Sequence, residues 1–553
     1  MPDTILSFPN LLVVPINRFD LGVINGSHNG VLYSTEAGIG SAAVAYRCYA
    51  RAHIGLKPLP TYASVTVKSY LGGTGAGMVT LSDIKVMSQY PDKNTLYISW
   101  AKVNASANQA IFDVDTYTDQ FTSFSGSTTY TSTVAGTQTI VAWPVLTKAF
   151  WLTAFRTPGV FTQIGTQSGP WVAVPSPTVN GGASYAPGTT PPTIAPVYKT
   201  AYVSSRMVFF GMASASTLNS ASLGSFDEFA TSDIQNVSNI TGGEFFGPEN
   251  GSTIGTWGSF SEGEFWFAYQ NGGGGIVYGD IQNPTLFTPL PGITGTGSAI
   301  GEAIPSPVGL VYVTDFDGAW VWNGGNTTTK ISAQVQDNQL SRLANDAPPI
   351  RAANLAFDTN IGSASHGAWV NWVFFPNNWM YDSLTNSWWQ VEDPAVHNFQ
   401  VHAGGGLRGR HFYSSVGTAV APTAAGTLSV PVVRWDHQNP ASTYVWISNP
   451  IPSVGSSVVL GAVEICASNP TSTSATVTIT PTSPPSQSLF FNQNQSQSVT
   501  FTIPPNTASY REAQQLGYND HNMCVRVDAA NSNSTNGAPT VHEINLGYEP
   551  RNN

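Results

Sequence analysis

The chain has 553 residues, 21 basic and 32 acidic, with a formal net charge of −11 and only 10% charged side chains, where soluble domains carry roughly 25%. That balance excludes a nucleic-acid binder working by phosphate neutralisation. The 15 Trp, 21 Tyr and 27 Phe exclude intrinsic disorder, because so much aromatic surface has to be buried.

The first twenty residues, MPDTILSFPNLLVVPINRFD, lack a basic leader, and Pro9 and Pro15 interrupt their apolar stretch, so they do not read as a signal peptide. No run of about 18 apolar residues occurs, so no membrane-spanning segment is expected. Residues 1–92 form a β-rich segment, heavy in glycine at Gly72, Gly73, Gly75 and Gly77. Residues 93–418 then show short β-branched and aromatic runs punctuated by Gly, Asn, Asp and Pro, the pattern of an all-β domain with tight turns.

A degenerate repeat lies within that domain. In its clearest copy, residues 369–394, a strand turns at Pro376, Asn377 and Asn378 into a second strand at 379–381. A turn at Asp382–Thr385 leads to a third strand containing Trp388 and Trp389. Residues 96–124, 265–290 and 308–331 repeat this grammar, and 150–164 and 206–229 follow it more weakly. An isolated meander cannot bury both faces, so such units are expected to stack. The spacing suits a β-propeller-like domain of six or seven blades, with one large sandwich or two Greek-key domains as the competing architecture. Within it, the Pro- and Gly-rich stretch 167–200 is expected to be an extended loop. Helices are predicted only at 332–344 and 509–516. From about residue 428 to 553 the alternation becomes cleaner, in SVVLGAVEICA, TSATVTITPT and MCVRVDAA. This predicts an antiparallel β-sandwich, jelly-roll-like.

The search for reactive chemistry returns little. The glycines at 72–77 precede a strand pattern and lack the Lys-Ser/Thr of a phosphate loop. Asp113, Asp115 and Asp119 resemble the start of a calcium loop, but Thr118 stands where such a loop needs glycine. These acids, with Asp315 and Asp317, read as turn formers. The neighbours Asp227/Glu228 and Glu392/Asp393 point to opposite faces of extended chain and read as solvated turns. His397, His402 and His411 have no metal-ligand spacing. Cys48, Cys466 and Cys524 are expected to be free buried thiols, although Cys466 and Cys524 could pair. No catalytic, cofactor-binding or metal site is predicted, and the chain is not expected to be an enzyme.

The run Tyr381-Asp382-Ser383-Leu384-Thr385-Asn386-Ser387-Trp388 resembles the Tyr-Asp-x-x-Thr-x-x-Trp strands of kelch-like propellers, which also appear in tail nozzle (tail tubular) proteins of short-tailed bacteriophages. The ending 541–551 is similar to the closing strand of many phage tail proteins. The resemblance implies a virion structural protein: a homo-oligomeric ring, usually a hexamer, attached to portal or adaptor and tail fibre proteins, whose lumen passes DNA during ejection. An acidic balance suits a conduit that must not grip phosphate. The chain departs from that family in being short and in ending with a separate sandwich. Eight lysines, none beyond Lys330, agree with surface buried against other subunits. The alternative is a glycan-binding, lectin-like propeller in which Trp171, Trp379 or Trp435 stacks on sugar rings. A hydrolase with an undetected cleft is the third reading.

Overall fold

The computed structural model describes residues 11–24, 40–51, 54–61, 440–449 and most of 254–335, 372–393 and 451–549, and elsewhere the backbone pairing of the strands named below. The protein is all-β. Among the described residues the strands assort into eight sheets and no helix forms, so none is long and apolar enough to cross a membrane.

Seven antiparallel meanders follow one another along the chain. The first, 79–135, is extended at one side by the short strands Tyr70–Gly72 and Gly426–Leu428. The next five cover 139–173, 199–245, 254–290, 304–330 and 353–390. The seventh takes Phe399–Gly405, His411–Val416 and Val432–Pro440 and is completed by Pro60–Val65 from near the N-terminus. The leading strands of successive meanders lie against one another in most of these pairs, and Phe399–Gly405 of the last lies against Val79–Ser88 of the first. Sequential blades closed by an early strand make a propeller-like body. All six sequence copies of the repeat fall on hairpins of these meanders.

The fifth meander shows why the units stack. Its strand Gly309–Thr314 (GLVYVT) is buried on both faces. Alternating side chains leave a strand on opposite sides, so Leu310 and Tyr312 join a cluster with Trp266, Ile276 and Leu290 of the fourth meander. Val311 and Val313 join another with Trp372, Tyr381 and Trp388 of the sixth.

That second cluster continues into a β-sandwich. One layer orders Cys48–Arg51, Gly55–Pro58, Thr540–Pro550, Val458–Asn469 and Thr507–Asn519, with Leu12–Ile16 also on Thr540–Pro550. The other orders Ala42–Tyr46, Thr443–Ser448, Asn522–Asn531, Ala475–Thr482 and Val499–Ile503. Val463 and Ile465 from one layer and Val477, Ile479 and Val527 from the other are fully buried in one core, each such side chain worth roughly 1.5–3 kcal/mol. The segment 1–92 is thus divided: its strands up to Pro58 pair within the sandwich, Pro60–Val65 completes the seventh meander, and the rest enters the first.

The predicted helix at 509–516 is instead the middle of the strand Thr507–Asn519. Ala513 and Leu516 sit three apart, as on a helix face. In a strand an odd spacing puts side chains on opposite faces, so Ala513 lies on the outer face and Leu516 in the core. At 332–344 the described part, 331–335, is a single turn in which Val335 N donates to Ser332 O at 3.1 Å; 336–344 lies outside the described residues.

Candidate functional site

Among the described residues, buried polar groups gather where the sandwich meets the sixth meander, Arg51, Asn378, Asp382, Gln390 and Glu392 among them. Strand Ser387–Gln390 pairs in parallel with Ala42–Tyr46 through Tyr46 and Gln390, so one sheet runs from the meander into the sandwich. Arg47 follows in the left-handed region, φ 60°, which is uncommon for a non-glycine residue. It marks the point where the chain leaves one layer for the other, and both of its peptide groups are held: its N–H donates to Gln390 O at 3.0 Å and its carbonyl accepts from Leu59 N at 2.7 Å.

The two arginines flanking Cys48 reach the meander. Arg47 Nε donates to Glu392 Oε2 at 2.7 Å, and its other guanidinium arm forms an ion pair with the same oxygen. Glu392 Oε1 accepts from Asp393 N at 3.0 Å. Arg51 Nε donates to Asp382 Oδ2 at 2.9 Å, and its guanidinium lies 5.9 Å from the Trp372 ring centroid. Around these pairs burial holds three phenols protonated: Tyr46, Tyr49 and Tyr381 are each pushed up to about 12, with nearby carboxylates adding to the effect. The carboxylates of Asp382 and Glu392 are each met by an arginine and a backbone N–H, and the two ion pairs join the sandwich to the sixth meander.

The motif that carried the kelch-like resemblance is a turn-forming device. Asp382 Oδ1 accepts from Leu384 N at 3.0 Å, Tyr381 Oη donates to Asn386 Oδ1 at 2.9 Å, and Asn386 takes the left-handed conformation at φ 53°. Trp389 Nε1 donates to Ser387 Oγ at 2.8 Å. Trp388 Nε1 donates to Ile331 O at 2.8 Å, tying the sixth meander to the end of the fifth.

Several expectations change. Glu392 is no solvated turn: it is 3% exposed and paired. Trp379 is 1% exposed, packed edge-on against Trp388, and presents no face to a sugar. Asp113 and Asp115 lie inside the strand Gln109–Thr118, opposite Trp100 and Ile98, and form neither a turn nor the start of a calcium loop. Glu228 opens a strand. Cys48, Cys466 and Cys524 form no disulfide, the first and last being buried and Cys466 half-buried; Cys466 and Cys524 belong to different layers. His402 and His411 fall on neighbouring strands, and Trp435 on a third, described by backbone alone. Asp119, Asp227, Asp315, Asp317, Trp171, His397 and the glycines at 73–77 lie outside the described residues, as does most of the 167–200 stretch. Among the described residues no group of three or more His, Cys, Asp and Glu side chains is placed to hold a metal.

Sequence reasoning missed the arginines. The run Tyr46-Arg47-Cys48-Tyr49-Ala50-Arg51 puts two cations into an otherwise apolar strand, and a buried charge requires a partner. That signal announces an ion pair without naming the acid.

No family model and no curated protein matches the chain. Among solved structures, an exo-β-1,3-galactanase from Phanerochaete chrysosporium with β-1,3-galactotriose is similar at 11% identity and TM-score 0.27, over 88% of this chain and 99% of that one. BamB from Moraxella catarrhalis is similar at 10% identity and TM-score 0.27, over 68% of this chain and 100% of that one. Likeness at that level assigns neither a fold nor a function.

Proposed function

We propose that the chain is a structural subunit of a short-tailed bacteriophage virion, a tail nozzle type of protein that assembles as a ring and forms part of the conduit for DNA. The observation that carries this reading is the joint: a sheet continuous from propeller-like body to sandwich, locked by the buried Arg51–Asp382 pair. Strands from both ends of the chain lie in that sandwich. A part built this way passes load between its halves.

A net charge of −11 suits a ring lumen along which phosphates pass without being held by counterion release. The test is light scattering on the purified chain together with mass spectrometry of purified phage particles. A multimer in solution and a fixed copy number per particle are expected; a monomer absent from particles overturns the reading.

A further inference from the structure

On the outer face of the sandwich, at the end away from Leu12–Ile16, three strands bring together Lys57, His542 and Ser468. Leu56 pairs with Val541, and both side chains are buried in the core, so Gly55 and Lys57 share the outer face with His542. Ser468 pairs with Thr540, next to Lys57 across the sheet. Ser468 Oγ and His542 Nε2 are 2.9 Å apart. Gly55 leaves the room for the ring: a Cβ there would stand 3.0 Å from His542 Nδ1, and its φ of 83° suits glycine.

Arg18, Arg47, Arg51, Arg511 and Arg526 each form an ion pair with a carboxylate. Lys57 forms none among the described residues; burial alone lowers its ammonium, with no acid raising it. His542 is lowered by burial and by Lys57 beside it, against a hydrogen bond to the Ile54 backbone that raises it. The nearest carboxylate in sequence, Glu543, faces Arg511 at 3.7 Å. In a chain of net charge −11, this half-buried ammonium lies beside an imidazole and a hydroxyl that hydrogen-bond each other, with no carboxylate paired to it among the described residues.

We propose that Lys57, His542 and Ser468 form a binding site for an oxyanion, a carboxylate or a phosphate. The ammonium would supply charge and the Ser468 hydroxyl a directional hydrogen bond, with the protonated imidazole donating to Ser468 Oγ and so turning that O–H toward the anion. An anion between them would relieve the desolvation of Lys57 and favour the protonated imidazole.

The experiment follows the His542 ring resonances of the full chain at constant pH and ionic strength, titrated separately with inorganic phosphate and with acetate. His542→Gln serves for assignment. Saturable shifts with a Kd of ~1 mM for either anion are expected, and the stronger of the two identifies the chemistry. Lys57→Gln should weaken binding about tenfold or more while the other histidine signals stay in place, and Ser468→Ala should weaken it less. Linear shifts with both anions, or equal binding by Lys57→Gln, would overturn the proposal. Should Lys57→Gln fail to fold, Ser468→Ala and the wild-type titrations still decide it.

Discussion

Arg51 and Asp382, 331 residues apart in the chain, meet at 2.9 Å with almost no solvent contact. The same Asp382 oxygen accepts from Trp372 Nε1 at 3.0 Å, while its other oxygen caps the turn at Leu384. One carboxylate therefore shapes a meander and anchors the sandwich to it. Asp382→Ala would strand the buried guanidinium and should cost about 3–5 kcal/mol, whereas the paired change Arg51→Met with Asp382→Leu should recover part of that loss. Denaturant unfolding of the single and double variants measures the difference. A single variant within about 0.5 kcal/mol of the parent would show that the pair is incidental.

Gly22 seals the outer edge of the sixth meander. Val23 N donates to Trp388 O at 2.7 Å, Gly22 has φ 66°, and a Cβ on it would lie 2.7 Å from that same carbonyl. Gly22→Ala should destabilise by at least about 1–2 kcal/mol from the left-handed backbone alone, with the steric overlap added. Hydrogen exchange at Val23 should rise with it.

Trp388 tests whether neighbouring meanders depend on one another. Trp388→Phe keeps much of the ring volume but removes the donor to Ile331 O, and should cost about 1–3 kcal/mol. Trp388→Ala should cost about 3–5 kcal/mol through cavity formation. Thermal unfolding read by tryptophan fluorescence should show both losses in one transition if the fifth and sixth meanders unfold together.

The joint should be sensitive to alkali. Tyr46, Tyr49 and Tyr381 are raised by burial to about 12 from an unfolded value near 10. Above pH ~10 the unfolded chain releases these protons while the folded chain retains them, so stability present below that pH is lost as it rises toward 12. Unfolding midpoints should be flat as pH approaches 10 and fall beyond it. Replacing Tyr381 by Phe should make that fall shallower.

How much of this was legible follows from how local each feature is. The hairpins at 265–290, 308–331 and 369–394 could be read because turn residues and period-two aromatics lie within a few residues of one another. The strand Ala475–Thr482, buried on alternate residues, is legible for the same reason. The union of residues 12–58 with the C-terminal sandwich was not, because pairing such as Leu12 with Tyr548 spans the whole chain and alternation names a face without naming a partner. The stretch 509–516 misled because Ala513 and Leu516, at helix-like spacing, are buried on opposite faces of one strand. Glu392 and Trp379 misled because burial comes from the neighbouring sheet, which their own segments do not encode.

The account stands on the protein being a building element that joins copies of itself into a ring on a larger particle. Electron microscopy of purified particles, with the chain located by a tag or antibody, tests this most directly. The account predicts a closed ring of identical subunits, each with a seven-meander body and a sandwich, attached to every particle at fixed stoichiometry. A lone subunit with converging acids or a bound metal in a cleft, and no place in any particle, would contradict it.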